Sequence, residues 1–231
     1  YSDDTVRAFA ALKPAAKDFR IYWDNAYCVH HLTDTPDVLL NIFDACREYK
    51  SEDMVYEFTS TSKISFSGAG IAVIAASDAN MADLKKKRTI QTIGPNKVVQ
   101  LMHARYFHDA AGIAAHMEKH RALLAPKFEA VLSALDAELA PLGIASYSRP
   151  NGGYFISFDT LSGCASRVGE LCKKAGVVLT TVGATFPYGK DPQDTNIRIA
   201  PSFPPIEELR AAVAVFCTSV RLASLEKLMA A

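Results

Sequence analysis

The chain has 231 residues, of which 49% are hydrophobic and 22% are charged, as in an ordinary globular protein of one or two domains. Its 25 Lys and Arg residues balance its 25 Asp and Glu residues, so no overall field predicts binding to nucleic acid or to an anionic membrane. Five cysteines without a C-x-x-C pair argue against a disulfide framework and a zinc site, and they favour a reducing, cytoplasmic compartment. No apolar run approaches the roughly 20 residues that a bilayer span requires.

The first half of the chain alternates between predicted helices and strands. Helical patterns cover 6–12, 38–49, 81–88, 97–107 and 110–139, and strand patterns cover 19–24, 54–58 and 71–76. This alternation predicts a parallel sheet, in which ligands bind at the carboxyl ends of the strands. Asp24 ends the first strand and Lys63 follows the second, so both are expected at that edge.

The second half has the pattern of a compact α+β unit. Strands are predicted over 143–147, 154–159, 177–180 and 196–200, and helices over 165–175 and 206–228. The long helix before this unit carries a predicted buried stripe of apolar residues: Leu123, Leu124, Phe128, Val131, Leu132 and Leu135. We interpret that helix as the connection between two domains, with residues 1–112 in the first and 113–231 in the second.

Lys63 is the residue of greatest chemical interest, because it follows an apolar strand within a hydroxyl-rich loop, Ser60-Thr61-Ser62-Lys63. The flanking apolar residues, Val55, Phe58, Ile71, Val73 and Ile74, are predicted to be buried. An amine held near apolar surface is more readily neutral and can then act as a nucleophile toward an aldehyde. The alternative is a strand-end lysine that reaches water, the commoner situation for a single lysine.

Two other polar patterns have simpler interpretations. His116 and His120 are four residues apart on a predicted helix, as two zinc ligands would be, but no further ligand completes a site. Exposed helix positions are therefore expected for these histidines and for His103 and His108. The basic run 85–88 is typical of a solvated helix C-terminus, and a phosphate or nucleic-acid patch is the weaker alternative.

Four motifs together resemble the fold-type I pyridoxal-phosphate aminotransferases. They are Asp24-Asn25-Ala26-Tyr27, Ser60-Thr61-Ser62-Lys63, Asn151-Gly152-Gly153-Tyr154-Phe155 and Asn196-Ile197-Arg198-Ile199-Ala200. Two flanking segments, 62–70 and 183–191, are most similar to the bacterial aspartate aminotransferases of subgroup Ic. The resemblance covers the whole chain and implies an α/β fold with part of a mainly parallel-sheet large domain and a C-terminal α+β small domain. It also implies the cofactor pyridoxal 5′-phosphate.

The resemblance implies a role for each site residue. Asp24 would face the pyridine nitrogen and keep it protonated, and Tyr27 would hydrogen-bond the 3′-oxygen of the cofactor. Lys63 would form a Schiff base with the cofactor and later carry the proton between two carbon atoms. Ser60 would contact the phosphate, and Ser62 would be a second donor to it.

Arg198 would bind the substrate α-carboxylate through a bidentate fork, according to the same resemblance. Simpler interpretations stand beside these roles: Asp24 as a turn cap, Tyr27 as a core residue and Arg198 as half of a structural ion pair. At position 71, where many of these enzymes carry a phosphate-binding arginine, this chain has Ile71. The residue that would bind the second substrate carboxylate is not assigned.

The function expected from the resemblance is transamination between aspartate and 2-oxoglutarate in a homodimer, with amino acids and 2-oxo acids as partners and neither nucleic acid nor membrane involved. An aminotransferase of aromatic or broader specificity is one alternative, and an effector-sensing domain of a transcription regulator is another. The resemblance further implies that the chain is the second half of a longer protein. The phosphate loop, a ring-stacking aromatic residue and an asparagine at the 3′-oxygen would then lie upstream of Tyr1. A further alternative is that the half-chain alone is not catalytically competent.

Overall fold

The computed structural model describes residues 1–230, which form two compact units. The first unit comprises residues 1–29 and 37–117, and the second comprises residues 30–36 and the chain from 118 onward. Residues 30–36 therefore group with the second unit. The domain division at residues 112 and 113 stays a prediction.

The first unit contains helices and strands close to the predicted positions. Its elements are α1 (Asp3–Ala10), β1 (Ile21–Asp24), α2 (Ile42–Tyr49), β2 (Val55–Ser60), β3 (Ala72–Ala76), α3 (Asp78–Gln91), α4 (Lys97–Phe107) and the start of α5 (Ala110–Glu138). Polar side chains cap several helix N-termini, since Ser2 accepts from the Thr5 N–H and Asn96 accepts from the N–H groups of Val98 and Val99.

The sheet of this unit has the order β1-β2-β3. β1 and β2 are parallel, with Asp24 opposite Phe58, so both strands end at one edge as the sequence predicts. β3 instead runs antiparallel to β2, with Ser60 opposite Ala72. Only residues 61–71 connect these two strands, which is too short for the crossover that a parallel pair requires.

One face of this sheet carries the main core of the first unit. Val55 on β2 packs with α1 and α2 residues in a cluster of Val6, Ala10, Ile42, Ala45 and Cys46. The opposite face is open: Tyr22 on β1 is 71% exposed and Ile74 on β3 is 37% exposed. Val73 points to the same face as Val55 but is 53% exposed, because it lies on β3, outside the cluster that α1 and α2 form with β2. The predicted burial of Val73 and Ile74 is therefore wrong for this structure.

The second unit is built on an antiparallel sheet of order β4-β5-β6. Its elements after the remainder of α5 are β4 (Ala145–Tyr147), β5 (Ile156–Thr160), α6 (Ala165–Lys174), β6 (Asn196–Ile199) and α7 (Ile206–Met229). Inward-facing residues of the strands pack against the helices in one continuous core. It includes the fully buried residues Val131, Leu135, Leu139, Ile156, Phe158, Val168, Ile197 and Val220.

Two predictions for the second unit are wrong. Residues 177–180 form no strand, because the β-branched run pairs with no neighbouring strand among residues 1–230, and Val178 is 88% exposed. Leu123 is 71% exposed, because the buried face of α5 carries Phe128, Val131 and Leu135 and does not include Leu123.

No helix within residues 1–230 combines the length and the apolar composition that crossing a membrane would require.

Candidate active site

Asp24 lies at the carboxyl end of β1, where its side chain is exposed. The turn after it is fixed by Asn25, whose backbone N–H donates to Phe58 O at 2.7 Å and extends the parallel ladder by one bond. The Asn25 side chain also donates to Glu57 Oε1 at 2.9 Å. These bonds fix the backbone that carries Asp24 and, three residues later, Tyr27.

The lysine loop, residues 61–71, connects β2 to β3 and carries Lys63 in its first turn. Its base is closed by two bonds between Thr61 and Ile71: the Thr61 N–H donates to Ile71 O at 2.9 Å, and the Ile71 N–H donates to Thr61 Oγ1 at 2.8 Å. The Thr61 carbonyl accepts from the N–H groups of Ile64 at 3.0 Å and Ser65 at 2.7 Å. Lys63 therefore projects from a hydrogen-bonded turn.

The side chain of Lys63 is exposed, in agreement with a lysine that reaches solvent, whereas its neighbour Ile64 is buried. Ile64 packs in a small cluster with Phe107 and Met117. The Lys63 Nζ atom lies 6.0 Å from the centre of the Tyr27 ring. The structure thus brings together the amine and the phenol that the sequence predicts for one site.

Ser60 and Ser62 lie at the start of this loop, both half-buried. Ser60 Oγ accepts from the Ser62 N–H at 3.4 Å. A Cβ atom at Gly70 would come within 2.8 Å of Ser62 Oγ, so only glycine fits there. Gly68 has no such neighbour but has a φ of +83°, which also favours glycine.

Two histidines that the sequence analysis assigned to exposed helix positions instead contact the lysine loop. His103 Nε2 lies 2.9 Å from Thr61 Oγ1 and 2.8 Å from Ser65 Oγ. His116 Nε2 lies 2.8 Å from the Ile64 carbonyl oxygen and therefore donates to it. Both side chains are half-buried, and the exposed positions expected for them are wrong. The described residues contain no cluster of potential metal ligands.

A cavity of about 650 Å³ lies beside Asp24 and is lined in part by Trp23, Cys28 and Glu57. Burial raises the pKa of the Cys28 thiol. Lys63 is not among the residues that line this cavity, so the cavity does not show where the Lys63 amine would meet a ligand.

Arg198 belongs to the second unit, on β6, where it is half-buried. Its guanidinium carbon lies 4.4 Å from the centre of the Phe155 ring, and its Nε atom has no hydrogen-bond partner among the described residues. It also forms no ion pair with any carboxylate of residues 1–230, which removes the structural ion pair considered above. The planar donor fork is therefore available for an external carboxylate.

The family model described as aspartate amino-transferase matches residues 1–231. The chain belongs to this family. The resemblance stated from the four motifs is thereby confirmed, and so is the α/β fold class.

Relatives of the aspartate aminotransferase family give the same result. An aspartate aminotransferase of Corynebacterium glutamicum is 47% identical over 225 residues, which are 97% of this chain and 52% of that protein. The crystal structure of an aspartate transaminase from the same species has a TM-score of 0.93 at 46% identity, covering 98% of this chain and 53% of the other. The chain thus spans about half the length of the curated relatives it matches.

A more distant member of the fold is an α-aminoadipate aminotransferase of Thermus thermophilus, solved in complex with N-(5′-phosphopyridoxyl)-L-leucine. It has a TM-score of 0.71 at 20% identity, covering 88% of this chain and 50% of the other. At that identity the likeness establishes the fold alone.

Residue 71 of this chain is an isoleucine, where many of these enzymes carry a phosphate-binding arginine. The Ile71 backbone is committed to Thr61 through the two bonds that close the lysine loop. In this chain, Ile71 therefore has a structural role, which is to close the base of the lysine loop.

Proposed function

We propose that the protein is a pyridoxal-phosphate-dependent aminotransferase that converts aspartate and 2-oxoglutarate into oxaloacetate and glutamate. The observation that carries the proposal is the meeting of Asp24, Tyr27 and Lys63 at one edge of the β1-β2 pair, in a chain of the aspartate aminotransferase family. Ligands of α/β sheets bind at that edge.

The residues at this edge carry the functional groups that would bind pyridoxal phosphate. The set contains an exposed primary amine, a carboxylate that ends a strand, a phenol near the amine and two hydroxyls at the start of the loop. Gly70 leaves open the space that a Cβ would fill beside Ser62. When bound, the cofactor supplies an electron sink for the carbanion formed at the substrate Cα.

The side chains of this chain would bind the cofactor and move protons. Lys63 would hold the cofactor aldehyde through its amine and, once released, carry a proton as a general acid and base. Asp24 would accept a hydrogen bond from the protonated ring nitrogen, and Tyr27 would donate to the ring oxygen. Ser60 and Ser62 would donate to the phosphate, for which the chain offers no arginine at position 71.

Arg198 would bind the substrate α-carboxylate. Support comes from its half-buried guanidinium, which has no ion pair within residues 1–230, and from its contact with Phe155, which holds the side chain against an aromatic face. It also lines an apolar cavity of about 180 Å³ together with Leu209, Val213 and Phe216. A carboxylate bound beside such apolar residues would be shielded from water and held more strongly.

The test uses the full-length protein reconstituted with pyridoxal 5′-phosphate. We expect a visible absorbance of the bound cofactor that Lys63→Ala abolishes, and that Lys86→Ala, a change at an exposed lysine of α3, leaves intact. An unchanged spectrum in Lys63→Ala would remove the amine from the proposed role.

Single amino acids added to the reconstituted protein then decide the substrate, because each half-reaction changes the cofactor spectrum. Aspartate and glutamate are expected to react fastest. Faster reaction of phenylalanine or tyrosine would instead indicate aromatic specificity, and ligand binding without turnover would indicate a sensing domain. The homodimer and the cytoplasmic location also belong to this proposal, and light scattering of the purified protein tests the dimer.

A further inference from the structure

The lysine loop is anchored by side chains from α4 that no assigned role of the site explains. His103 lies on α4 and contacts two loop residues 42 and 38 positions earlier in the chain, Thr61 and Ser65. These two residues bracket Lys63, one on each side. A single imidazole therefore contacts both ends of the turn that carries the amine.

The hydrogen bonds of His103 define its tautomer. Nδ1 lies 2.8 Å from the Val99 carbonyl oxygen, and since a carbonyl can only accept, Nδ1 carries a proton. In the neutral ring Nε2 is then an acceptor. It faces the hydroxyl oxygens of Thr61 at 2.9 Å and Ser65 at 2.8 Å.

The two hydroxyls connect the imidazole to the loop backbone. Thr61 Oγ1 accepts from the Ile71 N–H, so its own proton is free to point at Nε2. The Ser65 hydroxyl has one proton, which it donates either to Nε2 or to the Thr61 carbonyl oxygen 3.0 Å away. That carbonyl also accepts from two backbone N–H groups of the same turn. Displacement of the imidazole would therefore disturb the closure at Ile71 and the first turn together.

His116 and Ile64 hold the middle of the turn independently. His116 Nε2 donates to the Ile64 carbonyl oxygen at 2.8 Å, and the Ile64 side chain is 8% exposed among Phe107 and Met117. The residue next to Lys63 is thus fixed through its backbone and its side chain. His116 and Ile64 do not hold the two ends of the turn. His103 does so, because it contacts Thr61 and Ser65.

We propose that His103 is a positioning residue, which holds Thr61 and Ser65 so that the Lys63 amine is presented in one orientation. The inference rests on the proposed function, in which Lys63 binds the cofactor and transfers a proton. Displacement of a reacting group by about 1 Å can cost on the order of 100-fold in rate. Loss of the imidazole is therefore expected to lower kcat and to leave KM nearly unchanged.

Two substitutions at position 103 show whether the contact with Thr61 and Ser65 matters, apart from the loss of the imidazole ring itself. His103→Asn keeps a donor near the Val99 carbonyl but is too short to reach Thr61 and Ser65. His103→Gln extends an amide oxygen to about the position of Nε2, where it can accept from the same hydroxyls. His108→Asn is the matched control, because His108 is exposed and follows directly after α4.

The first measurement is hydrogen exchange of the protein freed of cofactor, followed by mass spectrometry of peptides that cover the lysine loop. We expect faster exchange of the loop in His103→Asn, wild-type exchange in His108→Asn and near wild-type exchange in His103→Gln. The second measurement is steady-state kinetics of the reconstituted full-length protein. There His103→Asn should lose about 10- to 100-fold in kcat, and His103→Gln should recover most of it.

Thr61→Val and Ser65→Ala serve as second variants if His103→Asn folds poorly. If His103 acts through these hydroxyls, combining His103→Asn with Ser65→Ala should give losses in kcat that are not additive. Additive losses would overturn the proposed route through the hydroxyls.

Wild-type exchange of the loop in His103→Asn would overturn the proposal, and so would faster exchange with an unchanged kcat. Equal losses of kcat in His103→Gln and His103→Asn would also overturn it, because the amide that reaches the hydroxyls would then give no benefit. Visible absorbance that survives in Lys63→Ala would instead overturn the proposed function, and it would do so whatever the His103 variants show.

Discussion

The two units of the chain differ in how completely each buries its own apolar residues. The second unit has one continuous core, with Phe158, Leu135 and Val220 fully buried. The first unit has two small clusters and leaves Tyr22 and Val73 more than half exposed. Most of the predicted cofactor chemistry lies in the less buried unit.

Within residues 1–230, this difference is a division between the unit with most of the apolar burial and the unit with most of the predicted site residues. In the first unit, the turn after Asp24 and the lysine loop are held mainly by hydrogen bonds, which define direction. In the second unit, apolar burial supplies the larger free energy. Arg198 is the exception, because it is a predicted substrate ligand in the well-packed unit.

The strongest test of this comparison is Phe158→Ala. Phe158 is fully buried, stacks on Tyr147 and meets Phe216 edge to face at 4.9 Å. We expect a loss of about 3–5 kcal/mol in the free energy of unfolding, from lost burial and the cavity left behind. Phe203→Ala, at a residue 96% exposed in the same unit, should change it by about 0.5 kcal/mol at most. Denaturant titration of both variants measures this, and similar losses would contradict the division.

Arg198→Ala tests the exception. Because the guanidinium has no ion pair within residues 1–230, its removal costs mainly the contact with the Phe155 ring and should lower the thermal midpoint only slightly. Binding of aspartate and glutamate should weaken by about 2–5 kcal/mol, the usual cost of truncating one partner of a buried charge pair. Arg198→Lys is the control that keeps the charge but not the fork, and it should recover only part of the loss. An unchanged KM in Arg198→Ala would contradict the assignment.

Gly70→Ala tests the close packing of the lysine loop in the first unit. The added methyl group would lie 2.8 Å from Ser62 Oγ and 3.0 Å from the Ser62 backbone nitrogen, so the loop must shift. We expect a cost of about 1–3 kcal/mol, as for overpacking, together with weaker cofactor affinity. Gly94→Ala is a suitable control, since among residues 1–230 no atom beyond the two chain neighbours lies within 4 Å of its added Cβ. Equal effects of the two substitutions would show that close packing at Gly70 is unimportant.

The smallest effect is expected at Asp191, whose carboxylate accepts from the backbone N–H groups of Asn196, Thr195 and Gln193. These bonds, the one from Asn196 foremost, lower the pKa of the Asp191 carboxyl. The ionised form is thus favoured in the folded state, so its stabilisation is present above the ordinary pKa of about 4 and is lost as the pH falls through the lowered value. Thermal midpoints of the wild type and Asp191→Asn should differ at neutral pH and converge in acid. A constant difference would rule out ionisation as the cause.

Much of the candidate site could be predicted from the sequence because its residues follow strand ends. Asp24 ends β1 and Lys63 follows β2, and the parallel pairing of these strands brings both to one edge. Arg198 was predictable from its motif, since an arginine among β-branched residues is unusual. Its lack of an ion pair within residues 1–230 depends on the tertiary structure, which no local pattern encodes.

The rest of the site was missed for identifiable reasons. His103 contacts residues about 40 positions away, and its helical context does not distinguish it from the exposed His108. The direction of β3 could have been predicted, because residues 61–71 contain no helical pattern for a crossover. The strand expected at 177–180 has the right residue types, yet a strand requires a partner that the sequence alone does not reveal.

The distribution of the cysteines makes the molecule convenient for chemical labelling. Four of them, Cys46, Cys164, Cys172 and Cys217, are buried, and burial raises the pKa of Cys217 to about 11. Thiolates are the reactive species, so these four should resist maleimides while the fold is intact. Cys28, half-buried and four residues after Asp24, should then be modified first. A fluorophore at that thiol would report directly on events beside the predicted cofactor carboxylate, without any engineered cysteine.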